Sequence, residues 1–317
     1  MAELFPGATA VSRLRVYQWP AADGLHGGSP HLHTASAEGY IVLGGEGTLQ
    51  TLSSAGYQEH ALGPGTVLWF TPGTVHRLVT AGPGPRSRGE RSERQSLSPG
   101  APASGPRSAG SEATGATRED AGRQAPGPRE RSERQNLSPG ADLDILVVMQ
   151  NAGLPEAGDA VLTFPPEILA DPAAYAHAVT LPPGSADALA CADLSDDTGS
   201  ISDGGPVGDA ARARRDLAVA GYLELRSRVL KEGPGALEPL YAAAATLVRE
   251  RAERWRELWH DGALTQARRT GEQLADLATG HAGHLRAAAV HHGQQPPGPR
   301  AFGMCGRLQT WHLSAES

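Results

Sequence analysis

The chain has 317 residues, a formal net charge of -7 at pH 7, and a Gly plus Pro content of about a fifth, so it can bury one sizeable core or two while leaving room for low-complexity sequence. Its acidity excludes nucleic-acid binding through a broad basic face, and no run approaches the eighteen or so apolar residues of a membrane helix. Cys191 and Cys305 are too far apart for a disulfide framework or zinc knuckle and read as free thiols; with no secretory signal in Met1 to Pro20, the expectation is a cytoplasmic protein.

In chain order, Ala10 to Trp19 alternates apolar and polar residues and predicts a first strand. Gly24 to Pro30 is a turn. His31 and His33 follow, two apart, so a strand presents both imidazoles on one face in chelate geometry. Glu38 then opens a second apolar run that ends at Leu43, as if a hairpin carried it back beside the histidines. Gly44 to Gly47 supports a tight reversal, after which Thr48 to Leu52 is expected to pair back. Short strands at Tyr57 to Leu62 and Thr66 to Phe70 lead to a turn at Thr71 to Thr74 and to His76, which begins the strand His76 to Thr80. Three imidazoles and one carboxylate suit a divalent first-row metal, with Fe, Mn, Ni, Cu and Zn all open. Short strands separated by glycine turns predict an all-β barrel or sandwich.

Residues 83–140 carry hardly a large apolar side chain and are expected to be disordered. Within them RSERQSLSPGA, beginning at Arg91, recurs as RSERQNLSPGA, beginning at Arg131, the mark of a duplicated low-complexity insertion. Strand character returns at 141–150, where Leu143, Ile145, Val147 and Met149 share a face. The insertion is therefore placed in a loop between His76 to Thr80 and Leu143 to Met149, which are expected to pair as neighbours. Loop closure tolerates this, since each doubling of length costs only about 0.6 kcal/mol.

A linker with short helices is expected over 156–208, including one at Pro165 to Tyr175 with Pro172 starting another turn. A helical module follows over 209–293, as three amphipathic helices at Asp209 to Lys231, Leu237 to Trp259 and Leu264 to His291. His281, His284, His291 and His292 lack a nearby carboxylate on the same face and read as a cationic helix end favoured by the dipole. The tail, 294–317, contains a possible extra strand at Arg307 to Leu313.

The two His-bearing segments carry a family resemblance. Gly28, His31-x-His33, four residues, Glu38, six residues and Gly45 resemble the first motif of the cupin superfamily. Gly65, five residues, Thr71-Pro72-Gly73, two residues and His76 resemble the second, with Thr71 where proline is commoner. The resemblance implies a cupin β-barrel, the double-stranded β-helix or jelly roll, over 1–155 with the insertion inside it. With the C-terminal helices the chain is α+β overall. It also implies a metal inside the barrel held by His31, His33, Glu38 and His76, and a homodimer formed through barrel faces. The superfamily spans dioxygenases, isomerases, decarboxylases, sugar-binding and storage proteins; a three-imidazole, one-carboxylate site with open positions for a chelating substrate and dioxygen favours a metal-dependent, dioxygenase-like enzyme acting on a small molecule. A sugar or keto-acid isomerase, and a non-catalytic binding or regulatory protein, stand as alternatives.

Glu38 is the expected base if its carboxylate leaves the metal. Tyr40, in phase with Glu38, is the expected substrate contact, and Trp69 and Arg77 are further candidates that read equally well as surface or core residues.

Overall fold

The computed structural model describes residues 5–81, 142–150, 159–182, 205–293 and 300–311. Its centre is a sandwich of two six-stranded sheets. The strands are β1 (Ala10–Val16), β2 (His26–Gly27), β3 (His31–His33), β4 (Glu38–Gly44), β5 (Gly47–Ser53), β6 (Gly56–Leu62), β7 (Val67–Phe70), β8 (Val75–Thr80), β9 (Asp144–Met149), β10 (Ala160–Leu162), β11 (Ala301–Phe302) and β12 (Gly306–Thr310). The first sheet has the order β11-β12-β1-β9-β4-β7 and the second β10-β3-β8-β5-β6, with β2 paired to β8.

The strands fall close to their predicted positions, but three of the predicted pairings are replaced. The chain from β3 to β4 makes no hairpin: β3 pairs with β8 and β10, while β4 lies in the other sheet between β7 and β9. Likewise β5 does not fold back on β4 but crosses to pair with β6 and β8. Nor do β8 and β9 pair, because they belong to opposite sheets. The cause is common to all three. Each apolar run must bury one face, and a jelly roll does this by sending successive strands to alternate sheets rather than to adjacent places in one.

The ends that flank residues 83–140 are nevertheless close together. The Gln18 side chain accepts from the Thr80 hydroxyl at 3.2 Å and donates to Asp142 Oδ1 at 3.1 Å, so one residue ties the exit from β8 to the entry into β9. The expected disorder of 83–140 and the reading of Cys191 as a free thiol fall outside the described residues.

Two cores follow from the alternation. Between the sheets lie Leu14, Val16, Tyr40, Val42, Leu49, Leu62, Leu78, Ile145 and Val147. On the outer face of the second sheet, Leu32, Leu52, Val75 and Val161 pack against helices. The chief partner is α3, the long helix Pro206–Glu232, through Ala218, Tyr222 and Leu225. Gly221 permits the close approach: a Cβ there would stand 2.2 Å from the Thr163 carbonyl oxygen. The Thr163 hydroxyl in turn donates to the Ala218 carbonyl at 2.9 Å.

Two short helices, α1 (Pro166–Leu169) and α2 (Pro172–Val179), replace the one predicted at 165–175, and Pro172 starts the second. Beyond α3 the helix bounds also differ from expectation. Glu238–Val248 is followed by a 3-10 turn at Arg249–Arg251, the helix Ala252–Trp259, a π turn at His260–Leu264 and the helix Thr265–Ala278. Gly262 sits inside the π turn and does not break the run, whereas Gly280, at φ 79°, follows its end. His281 to His292 therefore lie beyond the helix. The tail does return, as β12 antiparallel to β1, with Ser12 opposite Thr310 and Val16 opposite Gly306. Among the described residues no helix is long and apolar enough to cross a membrane.

Candidate metal centre

His31 and His33 leave β3 on the inner face, while Leu32 between them enters the helix-side core. His76 stands directly opposite His31 in the antiparallel pair β3·β8. The second sheet thus supplies three imidazoles, and Glu38 comes across the interior from β4 of the first sheet. All four are buried, and their candidate ligand atoms lie within 4.8 Å of one another. Glu38 Oε2 is 3.2 Å from both His33 Nε2 and His76 Nε2.

The outer nitrogens of the rings are all engaged. His31 Nδ1 is 2.9 Å from the Ser29 carbonyl, His76 Nδ1 3.1 Å from the Thr74 carbonyl, and His33 Nδ1 2.9 Å from Asp159 Oδ1. Each acceptor places a proton on Nδ1 and leaves Nε2 as the inward nitrogen, the arrangement by which a protein orients imidazole ligands. Within the cluster, His76 Nε2 and Glu38 Oε2 are buried without a properly aligned hydrogen-bond partner among the described residues. Buried polar atoms left in this state are costly, and a divalent cation between them satisfies both. The donor set and its geometry therefore fit a metal ion.

Asp159, just before β10, is the residue that sequence reasoning missed. Its Oδ2 accepts from the backbone N–H groups of Ala35 at 2.9 Å and Ser36 at 2.7 Å, while Oδ1 faces His33. One carboxylate therefore orients His33 and fixes the crossover that delivers Glu38. Burial alone raises its pKa, but the His33 contact and the two N–H donors outweigh that and bring it down to about 2. No local signal marks it: it lies far along the chain from His33 and outside either motif.

The electrostatics of the cluster are divided among its members. Burial, then the nearby His76 and His33, push His31 well below the usual imidazole range. Burial also acts to lower His33, yet Glu38 and Asp159 prevail and raise it to about 10. Glu38 stays well below the ordinary carboxylate range, because His33 and His76 overcome the effect of burial.

A cavity of about 230 Å³ opens on this cluster. His31, His33 and Glu38 line it together with Leu14, Val147 and Met149 of the first sheet, Phe302 to Cys305, Leu308, and Arg214 from α3. The Cys305 thiol is 3.8 Å from His31 Nδ1, and burial keeps it protonated well above the usual range. Gly28 allows this approach, since a Cβ there would meet Cys305 Cα at 2.4 Å.

Of the three expected substrate contacts, none lines this cavity. Tyr40 does point inward, but it belongs to the interior core, its ring edge-on to Phe70 at 5.4 Å. Trp69 is 75% exposed. The register explains this: Glu38 pairs with Phe70 and Tyr40 with Leu68, so Trp69 is in phase with the outward Gly39. Arg77 follows His76 directly on β8 and therefore leaves the opposite face of the sheet. There it is buried against α3, its Nη1 donating to Asp23 at 2.6 Å and its guanidinium 5.9 Å from the Tyr222 ring centre.

Comparison with known proteins agrees with the motif reading. A family model described as the cupin domain matches residues 22–87, about a fifth of the chain. Among solved structures, the capsular polysaccharide assembling protein CapF from Staphylococcus aureus is similar at 11% identity and a TM-score of 0.22, over 48% of this chain and 25% of that one. The chain thus spans about a quarter of the length of CapF. No curated protein matches. The segment similar to the cupin domain contains all four candidate ligands and the strands β2 to β8 that position them.

Proposed function

We propose that this protein is a metal-dependent cupin enzyme of the oxygenase class acting on a small organic molecule. The observation that carries the reading is the convergence of His31, His33, Glu38 and His76 on one buried point beside a mostly apolar cavity. When bound there, a divalent ion supplies Lewis acidity and, if redox-active, the capacity to bring dioxygen and a chelating substrate together. The chain's own residues supply the rest. The Nδ1 contacts of the three rings hold the ligands in place, and the apolar walls exclude water from the reacting atoms.

Glu38 is the residue proposed to move a proton, because a carboxylate released from the ion is a base beside the substrate. Tyr40 acts on it as a positioning residue. Its hydroxyl is buried with no aligned hydrogen-bond partner among the described residues, and burial, with the Glu38 charge, keeps it protonated well above its ordinary range, so it has a proton to offer the carboxylate.

The test is dioxygen uptake by the iron-loaded chain against a panel of phenols, diketones and their carboxylated derivatives. Substrate-dependent consumption that is lost in Glu38→Ala supports an oxygenase. Turnover without dioxygen consumption identifies an isomerase, and tight ligand binding without turnover identifies a binding or regulatory protein.

A further inference from the structure

Arg214, which is half-buried, stands apart from the fully buried arginines Arg77 and Arg215 of the α3 contact. Arg77 pairs with Asp23, and Arg215 with Asp216, whereas no carboxylate lies within 4 Å of Arg214 among the described residues. Its Nη1 donates to the Val179 carbonyl at 3.1 Å and its Nη2 to the Gly303 carbonyl at 3.0 Å. Both acceptors are neutral. The Nε is buried with no hydrogen-bond partner among the described residues. The guanidinium is therefore held in place by two backbone groups while, among the described residues, its charge is unmatched and at least one donor is unspent.

That charge belongs to the wall of the cavity that contains His31, His33 and Glu38. The remaining wall is largely apolar, through Leu14, Val147, Met149, Phe302 and Leu308. A cation in such surroundings is stabilised by an anion entering beside it. The volume, about 230 Å³, is below the roughly 300–1,000 Å³ of pockets that take drug-sized ligands, so the anion is small.

We infer that Arg214 is the anion anchor of this cavity and that the site takes a small organic carboxylate, its acid group paired with the guanidinium and its body against the apolar walls. The inference rests on the reading of the cavity as a substrate site and gives that substrate a class. It also gives α3 a part in recognition: the helix would carry the charge that selects the ligand, while the sandwich carries the residues that act on it.

The test uses the full chain, manganese-loaded and metal-free, with pyruvate, 2-oxobutanoate and phenylpyruvate, and their methyl esters as neutral counterparts, titrated calorimetrically. The wild type is expected to bind at least one acid about tenfold more tightly than its ester, as a charge-assisted bidentate pair provides. In Arg214→Gln the preference should fall to within about threefold with manganese content unchanged, and Arg214→Lys should retain part of it. Should Arg214→Gln fail to fold, a Lys variant that binds acid as tightly as the wild type counts against a bidentate anchor, and one that binds it more weakly while keeping the acid preference supports it. An acid preference that survives unchanged in Arg214→Gln, or its absence from the wild type, overturns the inference. If the chain takes up no manganese, the ion of the site is another metal or none, and the acid preference of the metal-free chain still decides the role of Arg214.

Discussion

His33 is the residue on which the local chemistry turns. Without a metal its pKa is raised to about 10, so near neutral pH its Nε2 holds a proton that faces Glu38. An incoming ion must displace that proton, because only the neutral imidazole is a ligand. Metal affinity should therefore rise with pH, by about tenfold per unit between about pH 6 and about pH 8 for one proton released. Competition against a chromophoric chelator measures this, and an affinity independent of pH would show that His33 is already neutral.

Asp159 acts one step behind. Asp159→Asn should weaken metal binding by about 10- to 100-fold, as loss of an orienting carboxylate does elsewhere, while leaving four ligands in place. The same competition assay reads the result, and an unchanged affinity would mean that the 34–36 crossover holds without its carboxylate. This residue also marks the limit of what the sequence reveals. His31 and His33 were legible because period-two spacing is a local property, and His76 and Glu38 because motif spacing pointed to them. Asp159 meets His33 only after β10 pairs with β3, which no local pattern encodes.

At the scale of elements, the contact between α3 and the second sheet depends on a missing side chain. Gly221→Ala would place a Cβ 2.2 Å from the Thr163 carbonyl oxygen, and neither backbone can yield easily. Overpacking of this kind costs about 1–3 kcal/mol, which should appear as a lower midpoint in urea unfolding. Gly271→Ala is the contrasting case. It lies within the helix Thr265–Ala278 with nothing within 4 Å of the added Cβ, so it should stabilise by about 0.5–1 kcal/mol. If both substitutions moved the midpoint the same way, helix propensity and not packing would govern these sites.

The strands themselves were readable from alternation, and β9 is the clearest instance, with Ile145, Val147 and Met149 all buried. Their partners were not, because alternation says which face is buried and is silent on which strand lies alongside. Hence β4 and β5, adjacent in sequence, were expected to pair although they occupy opposite sheets. The same gap misplaced Trp69, whose phase relative to Glu38 is set by the β4·β7 register.

At the scale of the molecule, the helices and the sandwich are parts of one design. Leu32, between the two histidines of β3, packs into the core that also holds Tyr222, Leu225 and Leu240. The helices therefore brace the strand that presents the imidazoles. The cavity is likewise assembled from distant segments, the barrel strands, α3 through Arg214, and the C-terminal segment through Cys305 and Leu308. Sequence motifs identified the first of these contributors, and an expected extra strand at Arg307 to Leu313 pointed to the tail; nothing local marked Arg214 as a neighbour of the cavity, since that proximity is a product of packing alone.

The claim beneath all of this is that three histidines of one sheet and a glutamate of the other hold a single ion. Elemental analysis of the full chain, purified without a histidine tag and supplied in turn with iron, manganese, nickel, copper and zinc, tests it most directly. With at least one of these metals the account predicts about one ion per chain in the wild type and less than about a tenth of that in His76→Ala and in Glu38→Ala, all three proteins remaining folded. A wild type that retains none of the five metals, or variants that retain a full equivalent, would contradict it.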